Sequence, residues 1–179
     1  MAATLTLRLS SPRSAETQPQ RFARLYETCR DDVYAYVVSL LRDREQAEDV
    51  TGLAFERAFR RRWLFDPRRG SERAWLFGIA RNAALDELRR RKRSVSALVE
   101  QVAERSADPG QLEALLRRST LKQALAALTA RERELIALKF WAGLSNREMA
   151  RVLGMSESNA GTSLHRAITN LRKRCDEQA

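Results

Sequence analysis

Between Phe22 and Leu41 the apolar residues fall at Phe22, Leu25, Tyr26, Cys29, Val33, Val37, Leu40 and Leu41. That spacing repeats every 3.6 residues and places them on one side of a long amphipathic helix. Such a helix must bury its stripe against another element. The same period returns at Ala47, Val50, Ala54 and Ala58, leading toward Trp63, and again at Trp75, Leu76, Ile79, Ala80 and Ala83. Asp43, with Gln46 three residues on, marks the start of the second helix. The turn formers Pro67 and Gly70 in "FDPRRGS" break it, and Ser71 can cap a third helix that ends in "LRRRKR". Residues 22–93 therefore read as one helical bundle.

From Ser94 the period weakens and "SADPG" signals a turn, so residues 94–113 read as a linker. A second unit, residues 114–175, begins with Leu121, Ala124, Leu125 and Leu128. Thr129 with Glu132 forms a capping box, and Leu135, Ile136, Leu138 and Phe140 carry the next helix to Gly143. In "LSNREMARVLGMS", Ser145 with Glu148 forms another capping box, Met149, Ala150, Val152 and Leu153 give an apolar face, and Gly154 suits the left-handed stop. Ser156 then caps a last helix with Ala160, Leu164, Ala167, Ile168 and Leu171 on its buried side. Glu157, Ser158, Asn159, Thr162, Ser163, Arg166, Asn170 and Lys173 face outward. Two helices joined by a tight glycine turn, the second polar at its start, is how a major-groove reader is built. An ordinary helical hairpin carries the same caps, so the rest of the chain has to decide between them.

With 44% hydrophobic residues, 7 Gly and 4 Pro in 179 residues, the composition is globular and leans to an all-α fold. Lys and Arg number 33 against 23 Asp and Glu, a net charge of +10 that draws polyanions, nucleic acid first and an acidic membrane surface second. The first residues lack the basic and apolar regions of a signal peptide, and no stretch approaches the ~20 apolar residues of a membrane span. A soluble, cytoplasmic protein without membrane insertion is expected. Residues 1–21 read as a disordered tail and 176–179 as a short second one. Cys29 and Cys175 form no CxxC, so neither a disulfide framework nor a zinc site is supported and no metal or cofactor is expected. Cys29 lies on the apolar stripe and reads as core.

Enzymatic chemistry fails on inventory. His165 is the sole histidine and lies in the last helix, without evident partners for a nucleophilic centre. Asp31 with Asp32, and Glu48 with Asp49, are helix neighbours pointing about 100° apart, a poor start for a two-carboxylate metal site. A different chemistry is concentrated around "FDPRRGS". There Trp63, Phe65, Trp75 and Phe77 interleave with Arg61, Arg62, Arg68, Arg69 and Arg73, the mixture that stacks unpaired bases while holding their phosphates. Trp75 sits on the apolar stripe and reads as core, which leaves Phe65 as the better base contact. The run Arg89 to Arg93 exceeds what balancing a helix dipole requires, although a solvated helix end is its plainer reading.

The stretches "AEDVTGLAFERAF", "WLFGIARNAALDELRRRKR", "ALAALTARERELIAL" and "GLSNREMARVLGMSESNAGTSLHRAITNLRKR", in this order, resemble bacterial sigma factors of the extracytoplasmic function group. The resemblance covers about residues 22 to 175 and implies region 2 for residues 22–93 and region 4 for residues 114–175. It implies core RNA polymerase as a partner, through the β′ clamp coiled coil and the β flap, together with promoter DNA and an anti-sigma factor. Matching positions point to Arg73, Arg81, Asn82 and Arg89 for the non-template strand of the minus-ten element, joined by Phe65, Arg68, Arg69 and Arg90. Ser158, Asn159, Thr162, Ser163, Arg166 and Lys173 are the candidates for the minus-thirty-five element. Glu48, Asp49 and Val50, with Leu53, match the segment that grips the β′ coiled coil, while a solvated acidic helix face is the alternative there. The family commonly has Gln followed by an acid where Gly52 and Leu53 stand, and often basic residues where Gly161 and Ser163 stand.

The second unit also looks like the DNA-binding domain of LuxR-type regulators, which act as dimers apart from polymerase. The first half discriminates, since it lacks the strand and helix alternation of a receiver domain and carries the basic aromatic loop. The linker's roughly twenty residues could span about 65 Å if extended. Glu100, Glu104 and Asp108 make it locally acidic, either as a mimic of a nucleic-acid backbone or as a solvated tether.

Overall fold

Thr17 starts the first helix. Its backbone N–H and its hydroxyl both donate to Gln20 Oε1 at 2.9 Å, and Pro19 falls in the first turn, where its missing N–H is not needed. In this computed structural model, which describes residues 17–95 and 121–177, α1 accordingly spans Gln18–Leu41. It begins four residues before the expected boundary at Phe22, because that cap and not the apolar stripe sets its start. The rest of the expected N-terminal tail lies outside the described residues. Leu25, Cys29, Val33, Val37 and Leu41 are buried, and so is Tyr36, which shares their stripe.

Asp43 caps α2, Arg44–Arg60, by accepting the Gln46 N–H at 3.1 Å on Oδ1. Its other oxygen accepts Arg91 Nη2 at 3.0 Å, so one carboxylate both starts α2 and ties down the far end of α3. Two short 3-10 turns follow, Arg62–Leu64 and Pro67–Arg69, and then α3 over Glu72–Val95. Ser71 Oγ accepts the Ala74 N–H at 3.1 Å and caps α3, which runs two residues past the expected end at Arg93. The remainder of the linker reading, with Glu100, Glu104 and Asp108, lies outside the described residues.

The second unit has α4 over the described residues 121–126, α5 over Ala130–Phe140, α6 over Asn146–Leu153 and α7 over Glu157–Asp176. Both capping boxes form, Thr129 with Glu132 and Ser145 with Glu148. Gly154 takes φ 67° and ψ 40°, the left-handed conformation that lets α6 turn tightly into α7. Among the described residues there is no strand, and no helix is long and apolar enough to cross a membrane.

The units are packed face to face, α1 against α5 and α3 against α6. A single apolar cluster runs through both, from Leu25, Val33, Tyr36 and Phe77 to Leu135, Leu138, Leu144 and Met149. A smaller cluster of Leu128, Ile136 and Ala167 closes the outer side of the second unit.

Candidate nucleic-acid interface

The two turns between α2 and α3 are held by Asp66, whose Oδ1 accepts the Arg68 N–H at 3.0 Å. This places Phe65 over the start of α3, with its ring 5.8 Å from that of Trp75. The two rings, with Arg68, Arg69 and Asn82, line a cleft of about 590 Å³. Arg68, Arg69 and Asn82 are exposed, and Phe65 and Trp75 are half-buried. An aromatic wall, two guanidinium groups and an amide around one opening are the groups that take an unpaired base and its phosphates. Trp63 stands outside the cleft, 67% exposed, with Arg62 over its ring at 5.6 Å.

Arg73 and Arg81 are placed differently. Arg73 Nη2 donates to Asp32 Oδ2 at 2.5 Å and to the Trp141 carbonyl at 2.7 Å, Nε donates to the Ala142 carbonyl at 2.5 Å, and Nη1 approaches Cys29 Sγ at 3.2 Å. Arg81 Nε donates to Glu134 Oε1 at 2.6 Å. Glu134 is only 6% exposed and also accepts Arg131 Nη1 at 3.0 Å and the Tyr36 hydroxyl at 3.4 Å. Burial, followed by the negative charge of Glu134, pushes the Tyr36 phenol well above its ordinary pKa, so it stays a donor. Both guanidinium groups, expected on the minus-ten face, turn onto the second unit. The signal for this was available: Glu134 precedes Leu138 by four residues and Trp141 by seven, a carboxylate on an inward-facing stripe.

At the other end of the cleft, Ser71 donates its N–H to Glu148 Oε1 at 3.3 Å, its hydroxyl donates to the same oxygen, and Arg151 donates to the Arg69 carbonyl. Arg42 Nη2 reaches the Ala126 carbonyl at 2.9 Å. Glu148, Arg151 and Arg42 were not singled out by periodicity, since each lies at a helix end or an exposed position. Arg89 and Arg90 are exposed and held by acids of their own helix, Arg89 by Asp86 at 3.1 Å and Arg90 by Glu87 at 2.8 Å.

On α7, Ser158, Asn159, Thr162, Arg166 and Lys173 are exposed, and Ser163 is half-buried with its hydroxyl on Asn159 Oδ1 at 3.0 Å. Gly161 faces α6, and a Cβ there would meet Asn146 Nδ2 at 3.1 Å. Its small size thus lets the two helices of the turn approach closely. On α2, Glu48 and Asp49 are exposed and Leu53 is 37% exposed. Val50, grouped with them from the sequence, is 4% exposed and packs in the core, because the same 3.6-residue stripe that carries Ala47 and Ala54 turns it inward.

The family model described as Sigma-70 region 2 matches residues 25–94, and the model described as Sigma-70, region 4 matches residues 118–171. The chain is 31% identical over 167 residues to the ECF RNA polymerase sigma factor SigL of Mycobacterium tuberculosis, covering 92% of this chain and 93% of that protein. It is 31% identical over 172 residues to the ECF RNA polymerase sigma factor BldN of Streptomyces coelicolor, covering 93% of this chain and 65% of BldN. Among solved structures it resembles the sigma factor RpoE in complex with the anti-sigma factor NepR from Bartonella quintana, with a TM-score of 0.70 and 26% identity. That likeness covers 87% of this chain and 97% of RpoE, and so spans both units.

Proposed function

The chain belongs to the extracytoplasmic function sigma factors of RNA polymerase, and from that membership we propose how its surfaces divide the work of starting transcription. As an alternative sigma factor it binds core RNA polymerase and directs promoter recognition. The observation that carries the finer reading is the convergence of Phe65, Trp75, Arg68, Arg69 and Asn82 on one cleft. An unpaired base of the minus-ten non-template strand enters it, with Arg73, Arg81, Arg89 and Arg90 along α3 taking phosphates as the strand passes.

Residues 22–93 serve as region 2 and residues 114–175 as region 4, joined by the 94–113 segment. The start of α7, with exposed Ser158, Asn159, Thr162 and Arg166 and half-buried Ser163, reads the minus-thirty-five element in the major groove, and Lys173 holds a phosphate further along. Glu48, Asp49 and Leu53 form the patch that meets the β′ coiled coil, an acidic pair suited to a basic protein surface. The second unit docks on the β flap. An anti-sigma partner is supported by the likeness to RpoE, solved with NepR. The chain works in the cytoplasm, with polymerase, by binding and positioning and not by catalysis of its own.

Gel filtration with core polymerase followed by mapping of transcript starts tests this reading. Co-elution and start sites absent with core enzyme alone are expected. A stable dimer on duplex operator DNA that ignores polymerase would favour the LuxR-type alternative, whose N-terminal half the region 2 match does not supply.

A further inference from the structure

Among the described residues, the exposed large apolar side chains are not scattered evenly. Tyr26, Phe59, Trp63 and Leu64, which are 43%, 44%, 67% and 65% exposed, gather where the start of α1 packs against the end of α2. Phe22 and Phe55 join them. The Phe22 ring lies 5.1 Å from that of Phe59 and 6.4 Å from that of Phe55, and the Tyr26 ring lies 4.8 Å from that of Phe55. Arg62 sits over the Phe59 ring at 4.3 Å and carries the row on to Trp63 at 5.6 Å. Single exposed apolar residues are ordinary on a protein surface, whereas a contiguous patch marks an interaction site. The cleft shares only Leu64 with this patch, and Asp49 lies about 15 Å back along α2 from Phe59.

The chain itself supplies an occupant. Residues 4–9 read TLTLRL and residues 10–16 read SSPRSAE, which leads into Thr17, the cap of α1. In an extended segment Leu5, Leu7 and Leu9 fall on one side, about 6.6 Å apart. Phe22 and Tyr26 on α1, like Phe55 and Phe59 on α2, are four residues apart, about 6 Å along the helix, so a row of leucines and a row of rings match in period. The polar spacer 10–16 can reach about 24 Å. Tyr26 is nine residues beyond Thr17, only about 13 Å along the axis, so the whole patch lies within reach. We infer that Leu5, Leu7 and Leu9 dock on the aromatic patch of Phe22, Tyr26, Phe55 and Phe59, with Thr4, Thr6 and Arg8 toward water. Tethering holds the segment at an effective concentration on the order of mM, so three leucine contacts suffice where the free peptide would bind weakly. The docked segment withdraws the patch from other proteins and leaves Glu48 and Asp49 open.

Photo-crosslinking of the full chain tests the inference. Leu7 is replaced by p-benzoylphenylalanine, the dilute protein is irradiated, and the crosslinked peptides of the monomeric product are identified by mass spectrometry. Crosslinks are expected at Phe22, Tyr26, Phe59 and Trp63. Two pairs of changes should each lower their yield at least about tenfold, since each pair removes two large apolar contacts. Leu5→Ser with Leu9→Ser strips the apolar row and keeps the tether, and Tyr26→Ser with Phe59→Ser strips the exposed rings. Circular dichroism establishes that each variant is folded, and the leucine pair decides the matter if the ring pair is not. A loss of yield in the folded variants supports the inference. Crosslinks spread over the surface, gathered at Leu121 or Phe140, or formed mainly between two copies overturn it. A yield that either folded variant leaves intact overturns it as well.

Discussion

Arg81 Nε donates to Glu134 Oε1 at 2.6 Å, joining a helix of region 2 to a helix of region 4 through side chains that are 19% and 7% exposed. The pair ties the two units together beside the apolar cluster they share. Removing Arg81 leaves the buried Glu134 carboxylate with Arg131 and the Tyr36 hydroxyl as partners, so Arg81→Ala should destabilise the isolated chain by about 2 kcal/mol. Urea denaturation measures it. A loss under about 1 kcal/mol would mean that the pair is not buried in solution.

Gly52 occupies an exposed position inside α2, and a Cβ there would meet nothing within 4 Å. Gly52→Ala should therefore stabilise the chain by about 1 kcal/mol through helix propensity alone. The melting temperature should rise by about 2–4 °C. An unchanged or lower value would show that the position is strained or covered.

Along the same helix, surface and core residues should separate by readout. Glu48→Arg and Asp49→Arg should weaken binding to core polymerase at least about tenfold, about 1.4 kcal/mol, without lowering the melting temperature. Val50→Ala should instead cost about 1–3 kcal/mol of stability through lost packing. Competition with a labelled sigma factor for core enzyme reads the first effect and thermal denaturation the second. Equal binding by the charge-reversal variants would move the polymerase contact elsewhere.

Acid should loosen the second unit. The Thr129 N–H, and after it Asn170, hold the Glu132 carboxyl below its ordinary value of 4.5. Burial pushes Glu148 upward, but hydrogen bonds from the Ser71 hydroxyl and from Ser145 outweigh it and leave its pKa lowered as well. For both groups the unfolded chain binds more protons in this range, so stability rises with pH there. Their contribution is complete above pH 4.5 and is lost as pH falls through the lowered folded values. Denaturation midpoints compared at neutral and acid pH should show this fall, and Glu132→Gln with Glu148→Gln should flatten it. An equally steep fall in the double variant would assign the acid sensitivity to other groups.

Helix positions and caps were legible in the sequence because they rest on local rules. Asp43, Thr129, Ser145 and Ser156 each accept the N–H three residues on, and Gly154 turns left-handed as its place after Leu153 requires. The start of α1 was missed because Gln20, outside the apolar stripe, completes its cap. Phe65, Arg68, Arg69 and Asn82 could be grouped from their nearness in sequence, and the fold gathers them at one cleft. Arg73 and Arg81 could not be placed that way, since their partners on the second unit lie 53 to 69 residues onward across the linker, and Cys29 and Asp32 lie back on α1. No helical period reports which face of one unit meets the other. A buried Glu134 and a buried Tyr36 on apolar stripes were the traces that this meeting left in the sequence.

In the function proposed, Arg81 and Asn82 meet the unpaired minus-ten strand once polymerase is bound. Permanganate reactivity of unpaired thymines, measured with holoenzyme on a promoter found by transcript mapping, reads that contact. Arg81→Ala and Asn82→Ala chains should still assemble with core polymerase but leave the minus-ten thymines unreactive or greatly weakened. Full thymine reactivity in both variants, with normal assembly, would place the strand contact away from Arg81 and Asn82.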